Sequence, residues 1–347
     1  MDTTLPDATF TKKQHFMKRI LVVCTTGMGD ALWGTPAIRA LKKAYPTAGI
    51  DLLVQSAWKT LFDGNPHLEN VYPYEPRWYH QLVLAFSLAR RVYDCGLLFH
   101  VNKDFRRMIP LLRCPTFWAQ QGFSWIDPEK ILSFTGEAHG IHRRLGLLRQ
   151  IGVPEDGSAM EIFLNEDDRK NAQSFLRQKG IGETTPYVYV NMGASLVHKR
   201  WPSQRFIELT RRILTESHHA VVLGGGPGEG GIIEEVRAHF PERVCAVYDR
   251  SLRSNSALIE KAGLMVTTDT GPMHIGLALQ TPMVALFGPT RPGESGPFEI
   301  DPSLCVVLRA MREGVPLCDI QPADMNYFDP ISVEEVWEKV ASFICEK

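Results

Sequence analysis

The sequence predicts two open α/β domains, each a parallel sheet with helices on both faces. Three observations carry that expectation. Short aliphatic runs without polar alternation recur along the chain, as in strands buried on both faces. Several lead through a glycine-rich or polar turn into a segment of helical period, the pattern of βαβ units. The pattern also starts twice, first at Arg19 and again after a polar stretch ending in GIGETTP at 180–186. The 347 residues suit two domains of about 150 each.

Arg19–Cys24 (RILVVC) is the first strand, and it runs through Thr25-Thr26-Gly27-Met28-Gly29-Asp30 into a helix expected over 31–44. Leu32, Ile38 and Leu41 keep helical spacing, and Tyr45-Pro46 ends it, because a residue before proline avoids the α region. Further strands are expected at 50–54 (IDLLV) and 94–101 (DCGLLFHV). In the second half Glu166-Asp167-Asp168 opens a helix reaching Lys179, and Tyr187–Asn191 (YVYVN) is a strand. A helix at 206–216 and a strand at 220–223 follow, the strand entering Gly224-Gly225-Gly226-Pro227. A strand at 264–267, a helix at 273–279 and the strand Met283–Phe287 come next. The last helix, 333–343, aligns Val333, Val336, Val340 and Phe343 on one face. The expected domains are 17–165 and 166–332, joined near 165–186. Ligands of open parallel sheets sit beyond the strands' carboxyl ends. The loops 25–30, 191–201, 224–229, 268–274 and 287–291 are therefore expected to line a cleft between the domains.

Composition narrows the class. A formal charge of −1, from 38 basic and 39 acidic residues, excludes an overall cationic nucleic-acid binder. No apolar run reaches the length of a membrane span, and the first nineteen residues are polar, without the core of a secretory signal. Seven cysteines at 24, 95, 114, 245, 305, 318 and 345 are scattered and form no CxxC pair, which suits reduced thiols. A cytoplasmic monomer is expected, with no metal site and no cofactor. Tyr72, Tyr74, Trp78 and Tyr79 are expected in the core rather than at a membrane interface.

Four loops can carry chemistry. Gly27, Gly29 and Gly34 do not match a dinucleotide fingerprint, and Asp30 would repel a phosphate at that helix start. Asp30 is then either a helix cap or a general base facing the cleft. Lys199 and Arg200, ahead of Trp201-Pro202, either bind phosphate oxygens or form a solvated pair. Gly224, Gly225 and Gly226 let a ligand approach the backbone closely, and Glu229 can accept ribose hydroxyls. Thr270 and Gly271 precede a helix whose first amides can hold a diphosphate; Asp269 can cap that helix, and His274 is a packing residue or a ligand contact.

These loops, in this order, resemble the heptosyltransferases of glycosyltransferase family 9. The stretch RILVVCTTGMGDALWGTPAIRALKKAYP is similar to that family's opening segment, KRWP at 199–202 to its phosphate segment, and TTDTGPMHIGLALQTPMVALFGPTRP at 267–292 to its nucleotide segment. The resemblance implies the two-domain GT-B arrangement, with acceptor on the N-terminal domain and donor on the C-terminal one. It implies transfer of heptose from an ADP-sugar to the lipopolysaccharide inner core, at the inner face of the inner membrane. Asp30 then matches the catalytic base and Lys199 the diphosphate contact. Asp269, Thr270, Gly271 and His274 match the donor motif, Glu229 the ribose acid, and the C-terminal helix crosses back onto the N-terminal domain. The clustered C-terminal cysteines of many members are missing here: Cys305, Cys318 and Cys345 are widely spaced.

Inverting transfer needs one base for the acceptor hydroxyl and positive charge for the leaving diphosphate. No D-x-D motif occurs, so a metal-independent reaction is expected, with Lys199, Arg200 and the helix amides stabilising the leaving group. An anionic glycolipid acceptor would be met by Arg106, Arg107 and Arg143, residues of two basic stretches whose alternative role is a solvated surface. A same-fold transferase with another nucleotide-sugar, or a non-catalytic ADP-sugar binder, are the other function classes.

Overall fold

A computed structural model describes residues 17–120, 122–132, 139–193, 200–310 and 327–345. The first half comprises β1 (Arg19–Cys24), α1 (Met28–Leu32), α2 (Thr35–Ala44), β2 (Gly49–Gln55), β3 (Asn70–Tyr74), α3 (Trp78–Ala89), β4 (Cys95–His100), β5 (Phe117–Ala119) and α4 (Gly140–Gln150). Its parallel sheet has the order β3-β2-β1-β4-β5. The apolar run of β1 is explained by its two neighbours. Ile20, Val22 and Cys24 pack with α1, α2 and α4, while Leu21 and Val23 face Ala85 and Leu88 of α3. With both pleats covered, no polar alternation is needed.

The second half begins with α5 (Glu166–Gln178), opened by an Asn165–Asp168 capping box, then β6 (Tyr187–Asn191), α6 (Ser203–Glu216) and β7 (Ala220–Gly224). It continues through α7 (Gly230–Arg237), β8 (Val244–Val247), α8 (Leu252–Lys261), β9 (Leu264–Thr268), α9 (Gly271–Ala278), β10 (Met283–Phe287), α10 (Pro292–Ser295), β11 (Cys305–Arg309) and α11 (Val333–Ile344). The parallel order is β11-β10-β9-β6-β7-β8. Tyr187 and Tyr189 of β6 share a core with α5 and α8; Val188 and Val190 pack beneath α6 and α11. In both sheets the chain order reverses beside the first strand, between β1 and β4 and between β6 and β9. Such reversals leave a crevice at the carboxyl ends.

Three expectations are corrected. The single helix over 31–44 is broken at Trp33-Gly34, because Pro36 has no N–H to donate to Leu32. The Thr35 hydroxyl takes that carbonyl instead, at 2.8 Å. The C-terminal helix does not cross to the N-terminal domain. Val336, Trp337 and Val340 of α11 are buried in the core beneath the second sheet, and the Arg212 guanidinium of α6 lies 4.9 Å from the Trp337 ring and pairs with Glu334. Finally, Tyr74 is buried and Tyr72 half-buried, but Trp78 and Tyr79 face solvent.

Among the described residues the halves meet at three places. Helices α1 and α9 abut at Gly29 and Gly271. His139 sets its Nε2 3.0 Å from the Gly296 carbonyl and stacks on Phe298 at 4.6 Å. Arg253 of α8 donates to the Thr60, Asp63 and Phe163 carbonyls and pairs with Asp168.

Candidate active site

The two topological reversals face each other across a cleft of about 690 Å³, within the range of roughly 300–1,000 Å³ usual for small-molecule sites. Gly27, Met28, Gly29, Asp30, Trp33 and Trp58 line its N-terminal wall. Asn191, Gly193, Gly225, Gly226, Glu229, Arg250, Asp269, Thr270, Gly271 and His274 form the opposite wall. Four of the five expected loops thus contribute, while the fifth position is taken by Ser295 of α10 rather than by residues 287–291.

Asp30 sits in the third position of α1, so it is not that helix's cap; Gly27 holds that place. Its carboxylate is gripped from three sides. The Thr26 hydroxyl donates to Oδ2 at 3.1 Å, and His100 Nδ1 lies 3.1 Å from the same oxygen. Arg144, buried in α4, donates to the Asp30 carbonyl at 2.8 Å and to Oδ1 at 3.3 Å, and through its other terminal nitrogen to the Gly140 carbonyl at 2.7 Å. Burial opposes ionisation of Asp30. The His100 contact, the Arg144 charge and the Thr26 hydroxyl outweigh it and hold the carboxyl at about 2, against an ordinary 3.8. The group is an anion throughout the neutral range.

Across the cleft, α9 starts without a side-chain cap. Thr270 is the cap residue, not Asp269, and its hydroxyl is engaged elsewhere: it accepts from Asn191 Nδ2 at 2.9 Å and donates to the Thr268 carbonyl at 3.3 Å. Pro272 has no N–H and the Met273 amide donates to the Thr270 carbonyl at 3.0 Å, so the Gly271 amide is the one that this helix start offers to an anion, with the helix dipole favouring it. Asn191 also donates to Thr267 at 3.0 Å, while its buried Oδ1 has no partner among the described residues. Asp269 receives the Ser295 hydroxyl at 3.4 Å. Glu229 folds under the glycine turn and accepts from the Gly226 amide at 2.5 Å.

Helices α1 and α9 approach closely because glycines face side chains. A Cβ on Gly29 would stand 2.6 Å from His274 Cδ2, and one on Gly271 2.7 Å from Met28 Sδ. His274 is buried between the halves, accepts the Trp33 indole N–H at Nδ1 (3.3 Å) and packs edge-on to that ring. Burial, with His139 nearby, lowers its pKa to about 3 against the pull of Asp30, so it is neutral. With Nδ1 accepting, the imidazole proton resides on Nε2.

Of the remaining sequence-derived candidates, the described ones do not line this cleft. Lys199 is outside the described residues. Arg200 is half-buried and does not line the cleft, while Trp201 beside it is a core residue donating to the Ile331 carbonyl. Arg106 and Arg107 stand exposed on the turn 103–107 that follows β4. Arg143 is partly exposed on α4, and its neighbour Arg144 is the one turned toward Asp30. Sequence reading did not single out His100, Trp33, Trp58, Asn191 or Arg250. His100 carries no local signal, since only the pairing of β1 with β4 brings it beside Asp30.

The model of glycosyltransferase family 9 (heptosyltransferase) matches residues 117–312, more than half of the chain. The chain belongs to glycosyltransferase family 9. This family 9 transferase is 32% identical to the lipooligosaccharide heptosyltransferase 2 of Haemophilus influenzae, covering 87% of this chain and 96% of that protein. It is 25% identical to the lipopolysaccharide heptosyltransferase 3 of Escherichia coli K12, over 76% and 80% of the two chains. A family 9 glycosyl transferase from Veillonella parvula superposes with a TM-score of 0.85 at 23% identity, covering 95% and 98% of the two chains. The E. coli ADP-heptose lps heptosyltransferase II gives 0.78 at 20% identity, covering 94% and 98%. These structures share the transferase's two-domain GT-B arrangement of facing parallel sheets.

Proposed function

We propose that this glycosyltransferase moves a heptose from ADP-heptose to an anionic inner-core lipopolysaccharide acceptor, inverting the sugar, with Asp30 as base and without a metal. One observation carries the reading: an ionised carboxylate on one switch point faces an uncapped helix start on the other, across a cleft of nucleotide-sugar size. The relatives' names supply the sugar and acceptor class.

In this reading the domain from 17 to 165 takes the acceptor, and the remainder, now including α11, takes the donor. Glu229 accepts the ribose hydroxyls, with Gly225 and Gly226 letting the nucleotide lie against backbone. The diphosphate rests on the Gly271 amide at the start of α9, and Lys199 and the α9 dipole stabilise its growing charge. Asp269 and His274 orient the donor sugar and phosphates. Asp30 accepts the acceptor hydroxyl's proton as the new C–O bond forms and the diphosphate leaves from the opposite face. A carboxyl held at about 2 is a weak resting base, so it takes the proton late, as the C–O bond forms and the hydroxyl turns acidic, and gives it up to water once the product leaves, while Thr26, His100 and Arg144 keep it aimed. Arg106, Arg107 and Arg143 meet the acceptor's negative charges. The acceptor's lipid places the enzyme against the inner face of the inner membrane.

A panel of ADP-, UDP- and GDP-sugars, with mass spectrometry of the acceptor product, tests this. ADP-heptose should be the substrate, EDTA should leave the rate intact, and Asp30→Ala should keep ADP binding while turnover falls by about 10²–10⁴. Preference for a UDP- or GDP-sugar, loss of activity on chelation restored by magnesium, or an active Asp30→Ala would each reject the corresponding part.

A further inference from the structure

Helix α3 has an unusual surface. From Trp78 to Ala89 it carries no Asp, Glu, Lys or Arg, and only Gln81, Ala85 and Leu88 are buried against the sheet. Trp78, Tyr79, Leu82, Val83 and Phe86 recur at the spacing of one helical stripe, and all five face solvent, Val83 at 71% and Trp78 at 67%. A helix apolar all round is normally one packed on all sides. Here the outer side is bare among the described residues.

The surround is cationic. Arg77 precedes the helix and Arg90 ends it, both exposed. Two acids lie nearby, Glu75 at 3.6 Å from His80 and Asp104 at 3.9 Å from Arg107, fewer than the cations around them. On the neighbouring turn 103–107, Lys103, Arg106 and Arg107 are exposed. That turn adjoins α3 through Tyr74, whose hydroxyl accepts from Gln81 at 2.9 Å and feels the charges of Asp104 and Arg107.

We propose that the solvent face of α3, with Arg77, Arg90 and the turn 103–107 around it, docks this protein onto an anionic lipid bilayer. Twelve helical residues span about 18 Å, short of the roughly 30 Å hydrocarbon layer, so α3 lies along the surface. Trp78 and Tyr79 sit at headgroup depth, Leu82, Val83 and Phe86 enter the acyl boundary, and the arginines reach lipid phosphates. Charge decides between a bilayer and a second copy of the chain. Two such faces meeting would set arginine against arginine, whereas an anionic lipid surface complements them. The turn 103–107 directly continues β4, whose last residue, His100, touches Asp30. A glycolipid held in the same membrane would present its sugar next to that carboxylate. This adds a partner to the reading above and rests on it only for that last step.

The test is co-sedimentation of the full chain with vesicles of phosphatidylethanolamine and phosphatidylglycerol, and with phosphatidylcholine alone. Binding to the anionic vesicles, weakened by added salt, is expected. The triple variant Trp78→Ser, Val83→Ser, Phe86→Ser should partition about tenfold or more less strongly, with ADP affinity measured by calorimetry unchanged. A second readout does not depend on the triple variant folding: wild-type tryptophan emission should be quenched by brominated anionic lipid, and Trp78→Phe should lose that quenching. Equal partitioning of variant and wild type, or absence of quenching, overturns the proposal. So does light scattering that shows a wild-type dimer dissociated by the triple variant, which would assign the face to a second copy. Vesicle binding by an enzyme unable to use ADP-heptose would fail the reaction proposed above and leave this docking surface standing.

Discussion

Asp30→Asn removes one charge and keeps the side chain's size, so it isolates what the carboxylate contributes. In the folded protein that group is held at about 2 rather than 3.8. The depressed value means that its stabilisation is complete above the unfolded pKa and is lost as pH falls through the folded one. Linkage gives a contribution of about 2–3 kcal/mol at neutral pH, about half of that at pH 3, and almost none below pH 2. Urea denaturation of wild type and variant should therefore show a gap of that size at about pH 7 that narrows in acid. A gap independent of pH, or none at all, would refute the account of how His100, Arg144 and Thr26 hold the carboxylate.

The contact between α1 and α9 predicts an asymmetry. Gly29→Ala drives a methyl into the buried His274 ring and should lower kcat/KM by about tenfold or more, while Gly271→Ala meets the flexible Met28 thioether and should cost far less; equal effects would contradict this geometry. The joint should also loosen in acid. Burial holds His139 at about 4 and His274 at about 3, below their ordinary 6.5, so the unfolded chain binds protons first and stability is lost as pH falls from 6.5 toward 4. Melting temperatures across that window should fall for wild type and less steeply for His139→Asn, and parallel profiles would count against it. Arg106→Glu with Arg107→Glu should raise the acceptor KM several-fold and leave ADP affinity unchanged; steady-state kinetics with an unaltered acceptor KM would remove both from the acceptor site.

Much of the architecture was legible because each half writes its strands as unbroken apolar runs and follows them with glycine-bearing turns. RILVVC and YVYVN show the pattern most clearly, and both became first strands beside a reversal of chain order. The loops carrying Asp30, Glu229 and Thr270 were legible for the same reason. What escaped was non-local. His100 and Asn191 end strands whose neighbours are set by sheet order, which no local spacing reports. Arg143 and Arg144 differ only in helical phase; Arg144 lies one turn past Gly140, and that phase turns it inward. The exposure of Trp78 and Tyr79 escaped as well, because an aromatic side chain signals burial without revealing whether a partner exists to cover it. The placement of α11 came from resemblance alone, and the packing of Trp337 against Arg212 overrode it.

Arg144 binds three acceptors with one planar group: two on residue 30 and one on its own helix. The aim of the reactive oxygen is consequently an output of how α4 seats against α1, fixed before any substrate arrives. Sliding α4 by a single residue, about 1.5 Å along its axis, would break at least one of those bonds and swing the carboxylate off target. His139, which caps α4 and sets its other ring nitrogen against the Gly296 carbonyl of the opposite half, is thereby given a mechanical grip on the rate.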